Sequence, residues 1–200
     1  MLKEMPGKVL WSTWESEPSE LKDFLMGEGV QVFCSQIPDE DKRGFRNANL
    51  QIASTDFGLQ AAKSQGFTHV FRIRHDIVLD NPDKMLSAVG DNIGFLCHYR
   101  WYLMDFIVSG PIDKLLLMYA SRFPMSQTDE MCTEQFLKKR YINWFGDEPV
   151  QYLLPLIREY GITATWLRKA KDTVNPLNRY YLDEKYTKKI SYPSPSELRK

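Results

Sequence analysis

Residues Thr68–Asp80 read THVFRIRHDIVLD. Val70, Phe71 and Ile73 give the segment the apolar content of a sheet strand. Charge gathers toward its end, in Arg72, Arg74, His75, Asp76 and Asp80. In open α/β sheets, ligands sit beyond the carboxyl ends of the strands, and Asp76 falls just past such an end. A carboxylate there suits Mg²⁺ or Mn²⁺, hard cations that take oxygen ligands together with substrate phosphates. Arg72 and Arg74 share one face of the strand, and either offers a guanidinium fork to phosphate. An ordinary strand-end ion pair between Arg74 and Asp76 explains the same letters. Asp80 reads first as part of a helix start, because Asn81 and Pro82 follow it, and second as another metal ligand.

The segments around it alternate. KVLWST (8–13) reads as a short strand. PSELKDFLMGEG (18–29) reads as a helix with Ser19 as N-cap, VQVFCS (30–35) as a strand, and a long helix runs from about Asn47 to Ser64, closed by Gly66. NPDKMLSAV (81–89) carries the cap, proline and first-turn aspartate of a helix start. NIGFLCHY (92–99) and DFIVSG (105–110) read as strands. PIDKLLLMYASR, TDEMCTEQFLKKRY and DEPVQYLLPLIREYG read as helices, and ITATWL (162–167) as a last strand. This β-α-β-α order predicts an α/β fold: a Rossmann-like mixed, mostly parallel sheet with helices on both faces.

Composition narrows the function. The 26 Lys and Arg balance 26 Asp and Glu, so the chain lacks the broad basic footprint of a nucleic-acid binder. Cys34, Cys97 and Cys132 are far apart and odd in number, which fits a reducing compartment and argues against a disulfide framework or a Cys/His zinc site. No window approaches a transmembrane length of apolar residues, and the N-terminus lacks a signal-peptide core, so a cytosolic protein is expected. From Arg168 to Lys200 the chain holds nine Lys and Arg against four Asp and Glu. The expected organisation is a catalytic-size domain over 1–168 and a basic, Tyr-rich extension over 169–200. The extension reads either as a linker to a further domain or as a loose C-terminus.

Three further patterns bear on chemistry. In the long helix, Leu50, Ala53, Phe57 and Ala61 form an apolar stripe expected to pack on the sheet. Asn47, Gln51, Ser54 and Gly58 form a second stripe, polar and ending in a mid-helix glycine. That glycine costs roughly 1 kcal/mol against alanine, which suggests close approach by a backbone or a ligand; a solvated face with a packing glycine is the plainer reading. Asp147 and Glu148 are placed at a helix N-terminus, where the macrodipole favours acids; they are also candidates for a general base. Gly110 ends a strand in Ser-Gly-Pro, where either a substrate or an ordinary turn would use it.

Taken together, WSTWES (11–16), RNANLQIASTDFGL (46–59), FRIRHD (71–76), DFIVSGPIDKLL (105–116) and GDEPVQYLLPLIREYG (146–161) resemble the small GT-A glycosyltransferases of lipopolysaccharide core synthesis, the WavE-like group. The resemblance covers roughly Val9–Gly161. It implies a GT-A-like fold, a UDP-linked nucleotide-sugar donor, a glycan acceptor, and Mn²⁺ or Mg²⁺ on the donor diphosphate. By the same resemblance Asp76 takes the metal, and Asp80, which the residues alone offer as another ligand, stands beside it. Arg74, Arg46, Asn47, Gln51 and Gly110 lie about the nucleotide-sugar, and Ser12, Thr13 and Trp14 line its base or ribose. Asp147 or Glu148 is the base of an inverting reaction, with Glu134 in reserve. The sequence departs from the family where Val78 replaces the second aspartate of Asp-x-Asp, where little chain precedes the STW segment, and where no histidine follows His98. Two rivals are a nucleotidyltransferase, which would normally show a Gly-rich phosphate loop after the first strand, and a non-catalytic carbohydrate-binding domain using Trp14, Trp101 or Trp144.

Overall fold

A computed structural model describes residues 9–74, 77–79, 90–99, 102–126, 128, 131–146, 148–153, 164–166, 168–169 and 180–181. The first strand β1 (Leu10–Trp14) leads through helix α1 (Ser19–Gly27) to β2 (Gln31–Ser35), and the two strands pair in parallel from Leu10↔Gln31 to Trp14↔Ser35. Two short 3₁₀ turns, Glu40–Lys42 and Phe45–Asn47, feed helix α2 (Ala48–Ser64). Strands β3 (His69–Ile73) and β4 (Ile77–Leu79) follow, then β5 (Gly94–Tyr99), β6 (Tyr102–Pro111) and helix α3 (Ile112–Met118). Helix α4 (Thr133–Phe145) and strands β7 (Gln151–Tyr152), β8 (Ala164–Trp166), β9 (Arg168–Lys169) and β10 (Tyr180–Tyr181) complete the described elements.

The main sheet runs β3-β6-β5-β7. Strand β6 pairs antiparallel with β3 and β5, whereas β5 and β7 pair in parallel. Hence β3, β5 and β7 share a direction and β6 alone runs against them. The chain is mixed α/β, as expected, but most of its ladders are antiparallel because the long central strand is the reversed one. Two smaller antiparallel ladders join β4 to β8 and β9 to β10.

Every residue of β6 from Asp105 to Gly110 is buried. Helices α3 and α4 pack on β6, and α2 packs on β1, β2 and α3. The core is one cluster built from Leu59, Phe95, Val108, Leu115, Met118, Tyr119, Leu137 and their neighbours. Buried polar groups fasten the loop after α3 to it. Asp56 accepts from Ser121 N (2.8 Å) and Oγ (2.5 Å), and the Asn49 amide exchanges 2.8 Å bonds with Met125 N and O. Arg140 donates to the carbonyls of Met118, Ala120 and Phe123, and burial draws its pKa down while the Asp56 charge opposes that shift.

Four expectations change. Pro18, not Ser19, occupies the N-cap of α1, and no side chain caps it. On α2 the buried residues are Ala48, Asn49, Ile52, Thr55, Asp56, Leu59 and Ala62, while Leu50, Ala53, Phe57 and Ala61 are only partly covered. The helix expected over 147–161 does not begin at Glu148, which follows the Gly146 cap of α4 and precedes strand β7; Leu153 is helical, and 154–161 lie outside the described residues. Strand β4 was not expected. The helix read over 81–89 lies outside the described residues.

The C-terminal half of the polar stripe of α2, Ser54 and Gly58, meets β1. Ser12 Oγ donates to Ser54 O at 2.6 Å, and a Cβ on Gly58 would stand 2.9 Å from Ser12 Cβ. The mid-helix glycine therefore admits a strand. Adding a side chain there must push helix and strand apart. Gly58→Ala is expected to yield none of the roughly 1 kcal/mol that alanine brings to an open helix. Gly58→Val is expected to lose about 2 kcal/mol by overpacking, read by urea unfolding.

Candidate functional site

Strand β3 carries Arg72 and Arg74 toward its carboxyl end, and β6 runs past them in register, with Arg72↔Val108, Ile73↔Ile107 and Arg74 N bonded to Phe106 O at 3.1 Å. On its other side β6 pairs with β5 through Phe95↔Val108 and then Cys97↔Met104, so the register shifts between the two pairs. Asp105, Phe106 and Ile107 thus face Leu96 alone. Such irregularities re-aim side chains. Here the irregular stretch contains Asp105, an acid with no exposed surface (0%) inside an otherwise apolar run.

Four elements bring five side chains to that carboxylate. From α2, Gln51 Nε2 donates to Asp105 Oδ2. From the end of α3, Tyr119 OH donates to the same oxygen at 3.2 Å. From β3, Arg72 Nη1 donates to the Asp105 main-chain oxygen and stands 3.4 Å from Oδ2. Arg74 and, from the first turn of α4, Glu134 lie near enough for their charges to act on Asp105. Asp105 Oδ1 is buried with no hydrogen-bond partner among the described residues. Complete burial pushes the Asp105 carboxyl above the usual carboxylate range; Arg72 opposes that rise and Glu134 adds to it. Burial and the Asp105 charge raise the Tyr119 phenol well above its ordinary value.

The arrangement joins two cations, two acids and two neutral donors at the carboxyl end of a sheet strand, where oxyanion ligands are held. Three of the predicted site residues, Gln51, Arg74 and Glu134, meet here. Arg72, which the sequence offers as a phosphate fork alongside Arg74, joins them, and so do Asp105 and Tyr119, to which the sequence assigns no role in the site. Of these last two, only Asp105 leaves a trace in the sequence, as a lone acid in the apolar run YLMDFIVSG.

The remaining predicted residues are placed otherwise. Ser12 is engaged with Ser54. Thr13 is buried and Trp14 half-buried at the end of β1. Asn47 is exposed and left-handed (φ 61°) at the start of α2, beside the backbone of Arg46. Gly110 is buried with φ 143°, and a Cβ there would lie 3.2 Å from Ile93 Cα, so the glycine accommodates the neighbouring chain. Glu148 pairs with Lys114 at 2.5 Å. Asp76, Asp80 and Asp147 lie outside the described residues.

Among the described residues, no group of three or more His, Cys, Asp or Glu side chains comes together to hold a metal. Asp105 does not suit that role, since its Oδ2 already receives three donors and the side chain is sealed. Some distance along α2, a groove of about 580 Å³ is lined by Asp41, Lys42, Asn49, Ser121 and Ser126 among others. Its buried polar residue, Asn49, is already satisfied by Lys42 O, Met125 O and Met125 N. Among the described residues no helix is long and apolar enough to cross a membrane. No family model, curated protein sequence or solved structure matches the chain.

Proposed function

We propose that the chain is a metal-dependent glycosyltransferase of GT-A-like architecture, moving a sugar from a UDP-linked donor to a glycan hydroxyl in the cytosol. The observation that supports this reading most directly is the meeting of Gln51, Arg72, Arg74, Asp105, Tyr119 and Glu134 at the carboxyl end of β3. The single reversed strand in the β3-β6-β5-β7 sheet supports it as well. In this reading the arginines offset the charge of the donor diphosphate as it becomes the leaving group. Asp76 would hold Mn²⁺ or Mg²⁺, with Asp80 as second ligand, and the metal would supply further charge neutralisation there. Glu134, whose charge already acts on Asp105 and Tyr119, is the base that would take the acceptor proton in an inverting reaction. Glu148, held by Lys114, gives up that role.

A second reading has one observation behind it. Trp144 and Phe123 are both about half exposed (47% and 48%), with ring centroids 6.4 Å apart. Such a pair suits a carbohydrate-binding surface without catalysis. A thermal-shift screen of UDP-, GDP- and CMP-sugars with and without Mn²⁺ separates the two. A UDP-sugar at a hundred times its Kd stabilises by about 2.7 kcal/mol, about 5–10 °C for a chain of this size, and only with Mn²⁺ present. A shift with free glycan alone would support the second reading and overturn the first.

A further inference from the structure

The two arginines of β3 are two residues apart on one face of a strand, yet their surroundings differ. Arg74 stacks over Phe106, with its guanidinium carbon 4.9 Å from the ring centroid. Arg72 is clamped. Its Nη1 is taken by the Asp105 main-chain oxygen and carboxylate, and its guanidinium carbon lies 5.7 Å from the centroid of the Tyr119 ring. Asp105 is in turn held by Gln51 and Tyr119. The clamp uses one nitrogen only. The other edge of the guanidinium, Nε and Nη2, donates to none of the described residues, and neither nitrogen is among the fully buried unsatisfied atoms. The side chain is 17% exposed.

A clamped, mostly buried guanidinium with its Nε–Nη2 edge open is the geometry that grips two oxygens of a phosphate in parallel. Fixing the side chain beforehand removes much of the ordering cost that a flexible arginine bears on binding. The geometry points to Arg72 as the diphosphate-binding arginine of this site, presented by Asp105 and Tyr119 as positioning residues, with Arg74 as a flanking charge. This inference deepens the glycosyltransferase reading by naming the residue that holds the donor's diphosphate. It reverses the sequence expectation, which favoured Arg74.

The test is calorimetric titration of the whole chain with UDP and, separately, with inorganic pyrophosphate, both in Mn²⁺. Arg72→Lys keeps the charge but loses the fork, and is expected to weaken both ligands at least tenfold. Arg74→Lys is expected to weaken them less than threefold. A wild type that binds UDP while Arg72→Lys binds it equally well overturns the inference and leaves the glycosyltransferase reading standing. Arg72-dependent binding of pyrophosphate without binding of UDP upholds the inference and overturns that reading. Binding of neither overturns both. Side-chain ¹⁵N–¹H spectra of the wild type give a check that needs no variant to fold. One arginine Nε–H resonance should move and saturate with pyrophosphate, and binding that moves no such resonance counts against the inference.

Discussion

Asp105→Ala is expected to cost about 3–5 kcal/mol of folding stability, the loss typical of removing one partner from a buried charge pair. The carboxylate is the common acceptor for Gln51, Tyr119 and Arg72. Without it the Tyr119 hydroxyl, fully buried, keeps a donor with no acceptor, at about 1–3 kcal/mol, and Arg72 loses its counter-charge. In a domain of 150–250 residues this lowers Tm by about 10 °C, measurable by calorimetry. Asp105→Asn keeps the shape and an acceptor oxygen and should lose far less.

The two variants also separate packing from charge. Burial raises the Asp105 pKa in the folded protein, so between the ordinary carboxylate value of about 3.9 and the raised value the folded chain holds a proton that the unfolded chain has released. The stability that this shift contributes is full below about pH 3.9 and is lost as pH rises through the folded value, at up to about 1.4 kcal/mol per pH unit. The groups facing the carboxylate are Arg72, Arg74, Gln51, Tyr119 and Glu134. Urea unfolding across pH 4–8 should show the wild type losing stability relative to Asp105→Asn as pH rises. Parallel curves for the two proteins would mean that Asp105 does not titrate in that window.

Asp76→Ala carries the second large effect. If Asp76 holds the metal on the donor diphosphate, its removal is expected to lower metal-dependent donor hydrolysis or transfer by at least about a thousandfold, about 4 kcal/mol of transition-state stabilisation. Folding should be little changed, because the buried cluster that anchors β3 is centred on Asp105. Unchanged activity in a folded Asp76→Ala protein would sink the metal assignment.

Much of the first half of the chain was legible because its signals are local. The apolar runs of β1 and β2 and the 17-residue length of α2, closed at Gly66, depend on residues within a few positions of one another. The start of the helix read at Asp147 is misplaced for a related reason. Acids and a proline mark helix starts on average, but Gln151 and Tyr152 gain a ladder with Gly94 and Phe95, which a local pattern does not contain.

The candidate site was legible only in part. Gln51, Arg74 and Glu134 stand out in the sequence, yet Asp105 reads as the first residue of a strand, and Arg72 and Arg74 share one strand face, so that only the family resemblance favours Arg74. The face that α2 buries also differs from the reading: two stripes of similar spacing compete in that helix, and the glycine that ends the polar one is the residue small enough to let β1 approach.

The sequence by itself determined the order of elements from β1 to β3 and from β5 to α4, and the presence of cationic side chains at the end of β3, since these follow from neighbouring residues. Tertiary structure decided which arginine is clamped and which is stacked. That choice depends on the register of β6 against β3 and β5, set by pairings more than thirty residues apart along β3 and β6, and on the irregular stretch that turns Asp105 toward Arg72.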